Sequence, residues 1–256
     1  MKFPWQCNHP IEAILFDCDG TLSQIEGIDE LAKHHQVTDI VQRLTQDAMG
    51  KSGMSPEIYA ERLRLTKPTQ KEIETLAETY YQQITPDVLD IISILQRLKK
   101  SVFVVSAGLY PSVLGFAKKL QILDENVFAV NIFFDEAGNY RDFDHTSPMV
   151  YKNGKQQIVS LLKNKYQNTA FIGDGLSDYE VHADVTRFVG YGGAFYRENI
   201  EKLCQFYIKT LRMYALLPLL LTIDEYNTLL PHEKNLYHQG IDDIQNGEVI
   251  VPLEME

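Results

Sequence analysis

Two aspartates, Asp17 and Asp19, stand one residue apart directly after a short apolar run, Ala13–Phe16. Asp is disfavoured in strands, and like charges this close together repel one another. A carboxylate pair at the end of a buried strand therefore suits a cation site or acid–base chemistry. Because alternate residues of an extended segment point to opposite sides, the two need not share one task. An Asp-rich turn assisted by Gly20 is the alternative interpretation.

Two further apolar runs end in small, hydroxyl-bearing or acidic residues. These are Ser106, Ala107 and Gly108 after the second run, and Asp174 and Asp178 after the third. Lys155 stands at the start of the helical pattern that precedes the third run, with Lys152 as a nearby rival. Ligands of α/β proteins bind beyond the carboxyl ends of the strands, so we expect these side chains to meet at one sheet edge.

Together these residue types describe a site for phosphoryl transfer. Carboxylates bind hard cations such as Mg²⁺, which keeps water and substrate phosphate in its remaining coordination positions. A hydroxyl, backbone N–H groups left accessible by small residues, and a lysine ammonium all bind phosphate oxygens. Positioning and charge neutralisation supply most of the catalysis in such reactions. Taken alone, Ser106 is equally well explained as a turn residue at a strand end.

The apolar pattern predicts the elements that position these residues. Ala13–Phe16, Val102–Val105 and Thr169–Ile172 are predicted as buried parallel strands, because each is short, continuous and apolar. Helical spacing recurs between them, at 88–98 and at 158–162. Alternation of strands and helices predicts an α/β fold, a doubly wound and mostly parallel sheet with helices on both faces.

More than eighty residues separate the first two predicted strands, which is too long for one crossover helix. Their pattern indicates several amphipathic helices. We predict an inserted α-helical cap at residues 21–84 over the carboxyl ends of the strands. The catalytic core then comprises residues 1–20 and 85–210.

Two later segments carry different signals. Residues 128–143 have the pattern of a β-hairpin around a glycine-containing turn. Residues 211–256 form a C-terminal extension to which we assign no role. From 224 onward it contains eight acidic residues and one lysine, and we expect a solvated, partly flexible surface there rather than an interaction tail.

The composition of the 256 residues is that of a globular protein, 45% hydrophobic and 23% charged. A net charge of -11 argues against a nucleic-acid partner. Three cysteines give no disulfide framework and favour a reducing, cytoplasmic location. We expect no secretory signal, and the most apolar segment, 214–223, is shorter than the roughly 20 residues of a spanning helix, so we predict a buried core segment there. We therefore expect no membrane partner. The sequence is compatible with a homodimer but does not establish one.

Four motifs, in order, resemble those of the haloacid dehalogenase-like phosphatases. They are Asp17-Cys18-Asp19-Gly20-Thr21, Ser106, Lys155, and the segment 173–178. The phosphoserine phosphatase branch of that family is similar in further segments. These are 26–32, 48–50, 61–63, the hairpin and 190–193, and the whole resemblance covers roughly 12–208.

The resemblance implies a Rossmann-like core and an aspartyl-phosphate intermediate. Asp17 would be the nucleophile, and Asp19 would protonate the leaving oxygen and then activate water. Ser106 and Lys155 would hold the phosphoryl oxygens. One carboxylate must stay ionised while the other carries a proton, so the two need different surroundings.

The resemblance also implies a metal ion and its ligands. Mg²⁺ would be bound by Asp17, by the backbone carbonyl of Asp19 and by Asp174. Asp178 would support the site by orienting Lys155 or the water shell of the metal.

In the cap, the resemblance implies a pocket for an amino-acid phosphate. Glu26 would meet the ammonium group of the substrate and Arg62 its carboxylate, for which a guanidinium is well shaped. Met49 and Gly50 would line the same pocket. From residue type alone, Glu26 and Arg62 are better explained as surface charges of helices.

The chain departs from the family pattern at two places. Ala107 and Gly108 would complete the phosphate-binding turn, but phosphoserine phosphatases usually have glycine at both positions, and the Ala107 methyl could crowd the phosphate. The pocket position that usually holds an aromatic residue falls near Met54 and Ser55.

These features predict a Mg²⁺-dependent phosphomonoesterase acting on O-phospho-L-serine, an activity that belongs to serine biosynthesis. One alternative keeps the chemistry and changes the substrate to another small phosphorylated metabolite. A second alternative, from another class, is a non-catalytic phosphate-binding or scaffold protein.

Overall fold

The fold is built on a mostly parallel sheet, described here for residues 3–47 and 55–252 of a computed structural model. Its strands are β1 (Ala13–Phe16), β2 (Ser101–Leu109), β3 (Val127–Val130), β4 (Ile132–Phe134), β5 (Tyr140–Phe143), β6 (Thr169–Gly173), β7 (Arg187–Tyr191), β8 (Tyr207–Ile208) and β9 (Val249–Ile250). The main sheet has the order β3-β2-β1-β6-β7-β8-β9, and only its last pair, β8 with β9, is antiparallel.

Helices surround this sheet. Those between β1 and β2 are α1 (Gly27–His34), α2 (Thr38–Asp47), α3 (Pro56–Thr66), α4 (Gln70–Gln82) and α5 (Val88–Arg97). Those that accompany the later core strands are α6 (Tyr110–Lys119), α7 (Gly154–Leu162), α8 (Leu176–Tyr179) and α9 (Glu198–Glu201). After β8 come α10 (Leu216–Leu220), α11 (Ile223–Asn227) and α12 (Pro231–Gln245). No helix in the described ranges is long and apolar enough to cross a membrane.

The central strands confirm the predicted fold class. All residues of β1, β6 and β7 are buried, as expected for parallel strands covered on both faces. In the register of the sheet, Ala13 pairs with Ser101 on one side and with Thr169 on the other. Strand order reverses at β1, so its carboxyl end opens at the point where such sheets bind ligands.

The predicted end of the second strand, Val105, is wrong. The strand β2 continues to Leu109, through the residues predicted to lie in a turn. Its register with β3 is irregular between Val105 and Leu109, where it rejoins β3 at Val130. A local irregularity of this kind re-aims side chains without ending a strand, which apolar patterning does not reveal. The predicted hairpin is confirmed for β4 and β5, which pair antiparallel, but its first residues, 128–130, belong to the parallel strand β3.

The helices α1 to α4 occupy the predicted cap segment, and their start signals are visible in the sequence. Ser55 caps α3 by accepting from the Ile58 N–H, and Thr69 with Glu72 forms a capping box at α4. The connections into and out of this segment lie side by side, since the Thr85 hydroxyl donates to the Thr21 carbonyl at 2.7 Å. The boundaries 21 and 84 stay a prediction.

The acidic end of the C-terminal extension corrects the expectation of a solvated, partly flexible surface. Every residue of α10 is buried, as predicted for the apolar segment 214–223, but α12 in the acidic part also buries Tyr237 and Ile241 against the core. The strand β9 then pairs with β8 and lengthens the main sheet. The acidic composition hid this packing, because the apolar residues of α12 are spread between charges and the pairing strand has only two residues.

Candidate active site

The carboxyl ends of β1, β2 and β6 bring the predicted phosphoryl-transfer residues together. Asp17 follows β1 and is held there because its N–H donates to the Ile172 carbonyl at 2.9 Å. Asp174 follows β6 directly. Lys155 lies at the start of α7, as predicted from the glycine before it. The three side chains are buried, although each is charged in its ordinary state.

Lys155 links two of the carboxylates. Its ammonium lies 2.9 Å from Asp17 Oδ2 and also contacts Asp178 Oδ1. Asp178 Oδ2 accepts from the Gly175 N–H at 2.9 Å, which fixes the carboxylate toward the lysine. The rival Lys152 has a mostly exposed side chain and contacts Glu180 instead, at 3.6 Å. The geometry thus favours Lys155 as the buried cation of this site.

The crowding of carboxylates perturbs their protonation. Burial, reinforced by the charge of Asp178, raises the pKa of Asp17 well above its usual range. Burial likewise raises the pKa of Asp174 to about 7, although Arg197 opposes the shift. Burial disfavours charge on Lys155, but Asp17 and Asp178 outweigh it and raise the pKa of the lysine.

The donor set of this cluster fits a hard divalent cation. Asp17, Asp174 and Asp178 each offer a carboxylate oxygen, and these oxygens lie within 4.8 Å of one another. Oxygen donors and a local excess of negative charge are the conditions that Mg²⁺ requires. Asp178, which was predicted only to support the site, thus also offers a carboxylate oxygen. Asp19 was predicted to contribute its backbone carbonyl, so its side chain is not needed in this cluster.

Asp19 has different surroundings from Asp17. Its Oδ1 accepts from the Gly27 N–H at 2.6 Å and from the Tyr80 hydroxyl at 2.8 Å. Its Oδ2 accepts from the Ser106 hydroxyl at 3.2 Å. No cationic side chain of the described residues forms an ion pair with Asp19 within 4.0 Å, whereas Asp17 contacts an ammonium. The two aspartates are thus separated chemically, as a nucleophile and an acid–base group must be.

The segment Ser106–Gly108, predicted as a phosphate-binding turn, lies within β2. The Ser106 hydroxyl accepts from the Gly108 N–H at 2.9 Å, and the Ala107 carbonyl accepts from Tyr59 at 3.1 Å. A Cβ at position 108 would lie 3.2 Å from Asp19 Oδ2 and 3.0 Å from the Ser106 hydroxyl. The tighter steric requirement for glycine is therefore at Gly108.

A cavity of about 140 Å³ opens between the helices α1 to α4 and the strand ends. The predicted residues Asp17, Asp19, Glu26, Arg62, Ala107, Gly108 and Lys155 all line it. Arg62 is only 6% exposed, so the surface-charge interpretation does not hold for it. Its guanidinium donates to the Thr45 hydroxyl at 3.4 Å and lies 5.3 Å from the centre of the Tyr59 ring. Met49 and Gly50 lie outside the described residues.

Glu26 lies at the start of α1 and is partly buried beside the acidic cluster. Burial, followed by repulsion from Asp19, raises the pKa of Glu26 well above its usual range. Arg197 approaches Glu26 at 3.6 Å and Asp174 at 2.7 Å. This arginine therefore joins the predicted substrate pocket to the predicted metal site.

Three side chains at this site were not predicted: Tyr59, Tyr80 and Arg197. Tyr80 follows Ile73 and Leu76 in the apolar pattern of α4, so it was indistinguishable from a core residue. Arg197 lies before the short helix α9, and only the glycine-rich segment 190–193 marks its neighbourhood in the sequence. Tyr59, on α3, supplies an aromatic ring to the pocket.

Comparisons with known proteins agree with this geometry. The sequence pattern of the haloacid dehalogenase-like hydrolases matches residues 11–184. The phosphoserine phosphatase of Bos taurus is 35% identical over 199 residues, which are 77% of this chain and 88% of that protein. The chloroplastic phosphoserine phosphatase of Arabidopsis thaliana is 32% identical over 196 residues, 74% of this chain and 66% of that protein.

Solved structures share the fold. A phosphoserine phosphohydrolase-like protein from Francisella tularensis has a TM-score of 0.71 at 22% identity, covering 78% of this chain and 96% of that chain. A phosphoserine phosphatase structure described as a phospho-aspartyl intermediate analogue has a TM-score of 0.68 at 21% identity, covering 79% and 95%. The chain therefore belongs to the haloacid dehalogenase-like hydrolases and, among them, to the phosphoserine phosphatase family.

Proposed function

We propose that this protein is a Mg²⁺-dependent phosphomonoesterase that hydrolyses O-phospho-L-serine to L-serine and phosphate. The observation that carries the proposal is the chemical separation of two aspartates that are one residue apart. Asp17 contacts the Lys155 ammonium at 2.9 Å, and Asp19 is surrounded by neutral donors. Both line one cavity, so both can reach the same phosphate ester.

In the first step, a carboxylate oxygen of Asp17 attacks phosphorus and forms an aspartyl-phosphate bond. The bond from phosphorus to the serine oxygen breaks, and Asp19 gives its proton to that oxygen. In the second step, Asp19 takes a proton from water while the water oxygen attacks phosphorus. Phosphate leaves, and the Asp17 carboxylate is restored.

Ser106 and Lys155 bind the phosphoryl oxygens, a hydroxyl and an ammonium being complementary to them. Asp17, the backbone carbonyl of Asp19, and Asp174 would hold Mg²⁺, which would offset the negative charge of the carboxylates and of the phosphate. Asp178 keeps Lys155 in place through their direct contact.

The cap side of the cavity favours an amino-acid phosphate. The buried guanidinium of Arg62 suits the substrate carboxylate, and Glu26 suits its ammonium. Met49 and Gly50, which lie outside the described residues, are also proposed to line this pocket. A cavity of about 140 Å³ agrees with a small molecule as the occupant.

We further propose a cytoplasmic location and the division into core (1–20 and 85–210), cap (21–84) and extension (211–256). The three cysteines are free and buried, which is compatible with a reducing compartment.

A turnover screen against small phosphomonoesters, with and without Mg²⁺, tests this function. We expect phosphoserine to have the highest kcat/KM, and we expect activity to vanish with a chelator and return with Mg²⁺. Preference for another small phosphorylated metabolite would replace the substrate and keep the chemistry. Turnover in excess chelator would contradict the metal assignment, and absence of any turnover would favour the non-catalytic alternative.

A further inference from the structure

The side chain of Tyr80 reaches from the last turn of α4 to the proposed acid–base residue. The residue is fully buried, and its hydroxyl donates to Asp19 Oδ1 at 2.8 Å. The Gly27 N–H, at the start of α1, donates to the same oxygen at 2.6 Å. The first and the fourth helix after β1 therefore hold one carboxylate oxygen.

This arrangement distinguishes the two oxygens of Asp19. A carboxylate oxygen has two lone pairs, and on Oδ1 the Gly27 N–H and the Tyr80 hydroxyl each donate to one. This leaves Oδ2 as the oxygen available to exchange a proton with a substrate. That oxygen lies toward Ser106, whose hydroxyl is 3.2 Å away, and toward Gly108 at the cavity wall.

The position of the Tyr80 hydroxyl is fixed from several sides. Its ring stacks on Phe116 with 5.7 Å between the centroids, and its backbone carbonyl accepts from the Ser23 hydroxyl at 3.0 Å. A Cβ on residue 27 would lie 2.0 Å from the hydroxyl oxygen, so glycine at that position leaves the space that the hydroxyl occupies. A buried tyrosine needs a partner for its hydroxyl, and here that partner is the carboxylate of Asp19.

We propose that Tyr80 is a positioning residue for leaving-group protonation, holding Asp19 so that Oδ2 delivers the proton to the leaving oxygen. The proposal rests on the proposed function, because it presupposes that Asp19 is the acid. When Asp19 gives up its proton it becomes negatively charged, and hydrogen bonds to a charged acceptor are stronger than those to a neutral one. The Tyr80 hydroxyl thus favours the transition state over the starting state.

The variant Tyr80→Phe removes the hydroxyl and keeps the ring that packs on Phe116. The matched control is Tyr81→Phe, because Tyr81 is the next residue of α4 and is 36% exposed. Each variant is assayed as the full chain with Mg²⁺, on phosphoserine and on p-nitrophenyl phosphate. The serine oxygen needs a proton to leave, whereas p-nitrophenolate leaves without one, so only the first substrate depends on the acid.

We expect Tyr80→Phe to lower kcat/KM for phosphoserine about tenfold, a fraction of the total effect of general acid catalysis. We expect kcat/KM for p-nitrophenyl phosphate to stay within about twofold of wild type, since its leaving group needs no general acid. Equal losses on both substrates, or a Tyr80→Phe variant indistinguishable from Tyr81→Phe, would overturn the proposal. Thermal unfolding of both variants verifies that they are folded.

The same assay separates this proposal from the proposed function. The wild-type protein alone tests the substrate, before any variant is compared. If the wild type hydrolyses a different alkyl phosphate instead, the substrate assignment fails. The loss of kcat/KM that Tyr80→Phe causes for that alkyl ester, compared with its loss for p-nitrophenyl phosphate, then tests the Tyr80 proposal. A wild type that hydrolyses no phosphomonoester overturns both.

Discussion

Buried charges occur in two regions of this molecule, and they are compensated differently. At the strand ends, Asp17, Asp174 and Asp178 lie within 4.8 Å of one another, and two of the three share a single lysine. Where the C-terminal extension meets the core, two glutamates each have their own cation. Glu233 contacts Arg97, and Glu225 contacts Lys100.

The pKa values follow this difference. Burial raises the pKa of Asp17 and of Asp174, because the available cations do not compensate for it. Burial also acts on Glu233, but hydrogen bonds from Arg97 and from the Leu230 N–H outweigh it and lower the pKa of that glutamate. Matched pairs therefore attach one segment to another, whereas the excess of carboxylates is unfavourable for folding by itself and favours binding of a cation.

The largest expected effect comes from Asp17→Asn. An amide cannot form the aspartyl-phosphate, so we expect kcat to fall on the order of 10³-fold or more. Since one of the clustered charges is removed, we expect the free energy of unfolding without metal to rise on the order of 1 kcal/mol. Steady-state turnover and denaturant unfolding measure the two quantities. Unchanged turnover would remove Asp17 from the mechanism.

The next effect concerns the cation that the acidic cluster favours. Mg²⁺ at 100 times its Kd stabilises a protein that binds it only when folded by about 2.7 kcal/mol. We expect this increase for the wild type, loss of most of it in Asp174→Asn, and retention in Asp124→Asn, an exposed carboxylate paired with Lys118. Thermal unfolding with and without Mg²⁺ measures it, and equal stabilisation of all three proteins would contradict the metal site.

A smaller effect is expected from Arg62→Ala. Loss of the guanidinium should raise KM for phosphoserine about tenfold or more, because the substrate carboxylate loses its partner. KM for an aryl phosphate, which has no such carboxylate, should not change. Arg64→Ala is the control, since Arg64 is on the same helix with its side chain 64% exposed. Equal effects on both substrates would argue against the proposed amino-acid pocket.

The smallest effect is expected in the balanced region. Glu233→Gln should lower the free energy of unfolding by about 1 kcal/mol at pH 7 and leave kcat unchanged. The pKa of Glu233 is lowered in the folded state, so its contribution is present above the ordinary value of 4.5 and disappears as pH falls through the lowered one. The difference between wild type and variant should therefore vanish at low pH.

Denaturant unfolding across pH measures this effect, with Glu78→Gln as the control. Glu78 also pairs with a lysine, but its side chain is 59% exposed, so we expect little change. A loss of turnover in Glu233→Gln would show that the two regions are coupled and would contradict this prediction.

Much of the site could be predicted because its residues follow apolar strands in a fixed order. Asp17, Ser106 and Asp174 were identified in this way, and Lys155 from the helical pattern that begins beside it; contacts in the structure bring them into one site. The continuation of β2 to Leu109 could not be predicted, because it depends on an irregular register with β3.

The sequence by itself determined the parallel core, the order of the four motifs and the placement of Asp17 and Asp19 one residue apart. These features depend on apolar patterns and spacings among residues that are close in sequence. Only the tertiary structure decided that Tyr80 and Gly27 share one oxygen of Asp19, that Arg197 reaches Asp174, and that the acidic C-terminal segment packs on the core. Such contacts join residues distant in sequence, and burial and charge balance arise only when the chain has folded.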